Sequence, residues 1–210
     1  MTGAVVGIKG DFGNVFVGDG GSGVHMAQFA GDRYDVSDGD RYRNGFGYTG
    51  NFGGITIRAT SDLSDENDSR NYVDFGGGSQ ATEGVTSFGI KGTFAGVEVG
   101  YGQEDEDVTI GVRYKMGDWT FAAHTTEWDL PTTSNTDARI GTDDSSLALL
   151  VGWSSGNVSA TFQTEELNDR TKSRIDASYN LGGGASVILR HQIDDKDSGE
   201  LTRLLLSVGF

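Results

Sequence analysis

The chain has 210 residues, which suits one domain or one closed sheet, with 34 glycines, one proline and no cysteine. A formal net charge of −15 opposes binding to nucleic-acid phosphates, and the absence of cysteine excludes disulfides, thiol nucleophiles and zinc ribbons. No run of 18 apolar residues provides a spanning helix, and 10% aromatic content argues against disorder.

The dominant pattern is alternation with period two, the signature of a strand with two different faces. Thirteen such runs are expected, over residues 4–9, 14–18, 43–48, 54–60, 85–91, 96–102 and 108–116, then 119–125, 146–153, 157–165, 173–181, 185–192 and 201–210. Helical periodicity is sustained nowhere, so the chain reads as all-β. The links at 11–13, 51–53, 117–118, 154–156 and 182–184 use glycine, asparagine, aspartate and serine, the chemistry of tight hairpins. Longer polar links are expected at 20–40, 61–84, 103–107, 127–144, 166–172 and 194–200. Alternating short and long links suit a transmembrane antiparallel barrel, with tight turns on one side of the membrane and long loops on the other.

The two faces differ in kind. In the run 108–116, Val108, Ile110, Val112, Tyr114 and Met116 share one face, and Thr109, Gly111, Arg113 and Lys115 share the other. Lys9, Arg43, Arg58, Lys91, Arg113, Lys115, Arg174, Arg190 and Arg203 all fall on polar faces, and Arg41 joins them if its strand starts early. Arg33, Arg70, Arg139, Arg170, Lys172 and Lys196 fall in or beside loops. A charge on a lipid-facing position near the bilayer midplane costs roughly 2–4 kcal/mol, so this avoidance is expected of a barrel. A soluble sandwich produces the same alternation with the apolar face turned inward. Against it, the polar face is rich in glycine, serine, threonine and arginine rather than in lysine and glutamate. Tyr48, Tyr101, Trp119, Trp153, Tyr179 and Phe210 also sit near strand ends, as in a membrane-interface girdle.

Three stretches give the chain a resemblance to the general diffusion porins of Gram-negative outer membranes, especially those of photosynthetic alphaproteobacteria (Rhodobacter-like). They are the hairpin VVGIKGDFGNVFVGD at 5–19, the turn YNLGGGAS at 179–186, and the last strand ending in Phe210. The resemblance implies one porin-like β-barrel domain over 1–210 in the outer membrane, passing small hydrophilic solutes and ions without catalysis. It implies Phe210 as the signal read by the barrel-assembly machinery, and a homotrimer. It also implies that residues 20–40 fold into the bore as a pore-constriction loop, with Asp32, Asp35, Asp38 and Asp40 facing the lumen bases Lys9, Arg41, Arg43, Arg58 and Lys91. Acids on one wall and bases on the other would set up a transverse field that filters ions. Further along the bore, Arg113, Lys115, Arg174 and Arg190 are expected to line it. Such porins have sixteen strands. The hairpin at Val5 matches their fourth and fifth, so thirteen strands here imply an N-terminally incomplete chain or a smaller barrel.

Other features read more plainly. Acid runs at Asp62, Asp65, Glu66 and Asp68, at Glu104, Asp105, Glu106 and Asp107, and at Asp194, Asp195 and Asp197 are candidates for calcium, with solvated surface charge as the alternative. No other cofactor is expected. The run 18–23 matches G-x-G-x-x-G, but no βαβ unit surrounds it. His25, His124 and His191 have no ligand spacing, and His124 is expected to line the lumen. No catalytic constellation stands out. The competing readings are a structural or adhesive outer-membrane barrel without an open pore, and a secreted soluble calcium-binding β protein.

Overall fold

The computed structural model describes residues 5–18, 22–31, 45–62, 86–104, 107–127, 145–167, 170–195 and 200–209. Among them are thirteen strands: β1 (Val5–Gly10), β2 (Gly13–Gly18), β3 (Gly45–Phe52), β4 (Ile55–Asp62), β5 (Thr86–Phe94), β6 (Val97–Glu104) and β7 (Asp107–Met116), followed by β8 (Trp119–Glu127), β9 (Ser145–Ser155), β10 (Val158–Leu167), β11 (Arg170–Gly182), β12 (Ala185–Asp194) and β13 (Leu201–Val208). One 3-10 turn, Val24–Met26, follows β2. The strands form a single antiparallel meander in chain order, each hydrogen-bonded to the next, with β1 and β13 as its edges. Those two edge strands run in the same direction, so direct pairing between them would be parallel.

Each expected strand is present, and six of them, β3, β5, β8, β9, β11 and β12, are two to four residues longer than the alternation predicted. Two expected long links are corrected by this extension. Within 103–107 and 166–172 the ladder continues to Glu104↔Asp107 and, through Glu165↔Lys172, to Leu167↔Arg170, so these links are shorter than expected. Gln103, Glu104 and Asp107, and Glu166, Thr171 and Lys172, are strand residues rather than loop residues, so Lys172 belongs to β11. At the opposite end, Gly53 and Gly54 have φ of 59° and 88°. Two successive positive φ values make the turn whose twist matches the flanking strands, and glycine adopts them without a Cβ clash.

The arrangement of faces inverts that of a soluble protein. Ile8 is 72% exposed, Leu204 74% and Leu206 69%, and Leu147, Leu149, Val151, Phe121 and Ile175 are exposed with them. Among the described residues the buried set is small: Phe16, Val24, Met26, Ala27, Ala30, Ala122 and Ala148, together with polar Ser22, Thr60, Ser87, Thr109, His124, Thr126, Ser146, Gln163 and Glu165. Burial thus falls on the polar face, called inner here. A sandwich needs a second sheet against the apolar face, and the described residues form a single sheet. Moving such side chains from water into hydrocarbon is worth about 1.5–3 kcal/mol each, so a lipid phase is the solvent this surface matches.

The aromatic residues reinforce this polarity. Trp119 and Trp153 are cross-strand partners beside the tight turns, and the Trp119 and Phe121 rings stack with centroids 6.3 Å apart. Phe12, Phe52 and Phe94 are exposed at the same end, an extension of the girdle that alternation did not pick out because they lie at the turns.

Candidate functional site

The inner face is occupied by the chain's own residues 22–31, which run across β5 to β10. At one end, the Gly23 N–H donates to Ser87 Oγ on β5 at 2.8 Å. At the other, Ala30 is held on both sides of its backbone. Its N–H donates to His124 Nδ1 on β8 at 3.3 Å, and its carbonyl accepts from Gln163 Nε2 on β10 at 3.1 Å. Ala30 packs with Ala122 and Ala148 beside Phe29 and Leu150, and Phe29 lies 5.1 Å beneath the Arg113 guanidinium. Phe29 thereby ties the segment to a charged wall residue through the face of its ring.

This close approach is possible because the wall beneath is made of glycine. A Cβ added at Gly111 would lie 1.9 Å from the Ala27 carbonyl oxygen. At Gly89 it would lie 2.2 Å from the Gly23 oxygen, and at Gly100 2.5 Å from the Met26 oxygen. Backbone touches backbone where the segment crosses β5 to β7. The sequence placed these glycines on the polar face, and the resemblance implied that residues 20–40 fold into the bore, but neither said which part of the wall the segment would lie on. His124, Gln163 and Ser87 were likewise not singled out as anchors, since their partner lies 64 to 133 residues away. His124 does face inward, but as a buried anchor beneath the segment.

Lys9, Arg58, Lys91, Arg113, Lys115, Arg174 and Arg190 all take inner-face positions by register. Asp32, Asp35, Asp38, Asp40, Arg41, Arg43 and Phe210 lie outside the described residues. So do Asp65, Glu66, Asp68, Asp105, Glu106 and Asp197 of the acid runs. The structure brings several bases onto acids of their own wall, pairings the sequence reading did not anticipate. Arg113 Nε donates to Glu98 Oε2 at 2.9 Å, and Lys91 Nζ lies 3.7 Å from Glu98 Oε1. Arg190 binds Asp176 through both oxygens at 2.8 and 3.0 Å, and Arg174 Nε lies 3.1 Å from the same carboxylate. Lys172 stands 3.8 Å from Asp194, and Arg58 Nε donates to Thr49 Oγ1 at 3.2 Å. Each carboxylate shared by two cations leaves one positive charge in excess. The wall is therefore patterned in charged clusters, separated by the glycine track that carries residues 22–31.

Comparison with known proteins agrees with this geometry. A family model described as Gram-negative porin matches residues 2–198. Among solved structures, a refined porin aligns over 98% of this chain and 80% of its own, with a TM-score of 0.68 at 18% identity. Salmonella typhi OmpF, in complex with daunomycin, aligns over 99% and 77% with a TM-score of 0.70 at 11% identity. A mutant of the Rh. blastica porin aligns over 97% and 74% with a TM-score of 0.65 at 13% identity. No curated protein sequence matches. The antiparallel meander with its lipid-type outer face and infolded segment is thus the porin β-barrel fold, and the chain belongs to the Gram-negative porin family of the bacterial outer membrane.

Proposed function

We propose that this chain passes small hydrophilic solutes and ions passively down their gradients, through a bore narrowed by residues 22–31. The observation that carries this reading is the inversion of burial. Apolar side chains are exposed, while the chain folds its own backbone against the polar face. A segment lying inside a barrel wall narrows the lumen without closing the sheet to water, and charged clusters on the remaining wall then select among solutes. The family and fold are those of a channel rather than of an enzyme. Selectivity follows the charges beside the segment more than the total of −15, because loop carboxylates in bulk water are screened within about 8 Å at physiological salt.

Reconstitution in planar bilayers tests the proposal. Stable open steps that scale with salt concentration are the expected result. Silence from protein that is folded, as shown by heat-dependent gel mobility, would instead support a barrel with a closed lumen. A homotrimer, implied by family membership, is tested by unheated electrophoresis and by light scattering in detergent.

A further inference from the structure

We infer that the inner face of β11–β13 carries an oxyanion site, in which Arg174, Arg190 and Arg203 take up the carboxylate or phosphate group of a small solute. This rests on the channel reading above. Register places Arg190 directly opposite Arg203 on β13 and opposite Asp176 on β11, with Arg174 two residues along β11 on the same face. Two guanidinium groups facing each other across a strand pair repel unless an anion lies between them. Asp176 does not fill that role for Arg203. Both of its oxygens are engaged by Arg190 and Arg174, and it lies two strands away from Arg203. Arg203 has no ion-pair partner among the described residues.

The position relative to the infolded segment supplies the functional argument. Contacts of residues 22–31 reach β10 at Gln163, and Gln163 is the cross-strand partner of Arg174. The arginine cluster therefore begins on the strand next to the clamp that holds Ala30, at the level of the bore that the segment narrows. Beyond β10 the inner wall is left uncovered by residues 22–31. Of the nearby wall acids, Asp194 stands against Lys172, and Asp176 is shared by Arg190 and Arg174. Arg190 and Arg203 face each other with Asp176 on the Arg190 side alone, so positive charge is in excess between them, and the planar fork of arginine matches carboxylate and phosphate oxygens.

Inorganic phosphate is the probe. Its binding to the detergent-solubilised chain is measured by titration calorimetry, and its block of single-channel current in planar bilayers is measured in parallel. Parent protein is expected to bind phosphate and to lose current as phosphate rises. In Arg203→Gln both effects should weaken about tenfold or more, the loss of a charge-assisted hydrogen bond, while Arg203→Lys recovers part of them. Equal phosphate affinity in parent and Arg203→Gln overturns the site, as does a conducting parent that phosphate neither binds nor blocks. Phosphate binding without open steps upholds the site and refutes the channel reading, so the two failures are distinguishable.

Discussion

Placing one methyl group under the infolded segment is the sharpest test of how the bore is narrowed. In Gly111→Ala the new Cβ would sit 1.9 Å from the Ala27 carbonyl oxygen and 3.0 Å from its carbonyl carbon. A comfortable carbon–oxygen approach is about 3.3 Å, so residues 22–31 must retreat from the wall by roughly 1.4 Å. Neither atom is the end of a flexible side chain, which leaves no inexpensive relief. The bond from the Ala30 N–H to His124, already 3.3 Å long, cannot survive such a retreat, and the Gln163 bond to the Ala30 carbonyl weakens with it. Each bond contributes about 0.5–1.5 kcal/mol net, and leaving buried partners unsatisfied adds to the loss. The seated segment should therefore lose about 2–4 kcal/mol, at or slightly above the usual cost of overpacking a core. Strand pairing is untouched, so folding and heat-dependent gel mobility should remain parental. In planar bilayers the displaced backbone enters the bore, lowering mean single-channel conductance and raising current noise. Gly152→Ala is the matched comparison: it adds the same methyl on the same face of β9, where the nearest atoms are 3.7 Å away, and it should behave as the parent. Parental conductance and noise in Gly111→Ala, or equal damage from Gly152→Ala, would refute the seating argument.

Three further outcomes are expected. Leu149→Arg places a charge on the exposed outer face of β9 and should cost about 2–4 kcal/mol by urea titration in lipid vesicles. Thr161→Arg, on the inner face of β10, should cost far less; a soluble protein would tolerate the change at exposed Leu149. Glu98→Gln removes the carboxylate shared by Lys91 and Arg113. It should shift the reversal potential in a salt gradient toward anions while changing stability by no more than about 1 kcal/mol, since both pairs are partly exposed. His124→Ala and Gln163→Ala release opposite sides of the Ala30 backbone and should each raise current noise. A double-mutant cycle should give a non-additive result, because either change alone frees the same residue.

What the chain shows residue by residue is what local physics dictates. Alternation of Val108 through Met116 states that two faces exist and which is apolar, because successive side chains of a strand point to opposite sides whatever else surrounds it. Gly53–Gly54 and its counterparts state where the chain reverses, because only certain residues tolerate the φ those turns need. From these the thirteen strands and the polar placement of Lys9, Arg58 and Arg190 could be read without coordinates. The length of the hairpins at 103–107 and 166–172 could not. Polar residues there look like loop until cross-strand partners such as Lys172 opposite Glu165 are known. The site itself was decided by tertiary structure. Gly111 and Ala27 are far apart in the chain and meet only when residues 22–31 cross the wall, and Arg190 meets Arg203 only through the register of β12 with β13. A periodic pattern records the environment of each residue's own face; it holds no information about which distant segment occupies that environment, since packing across a lumen depends on distances set by the whole sheet.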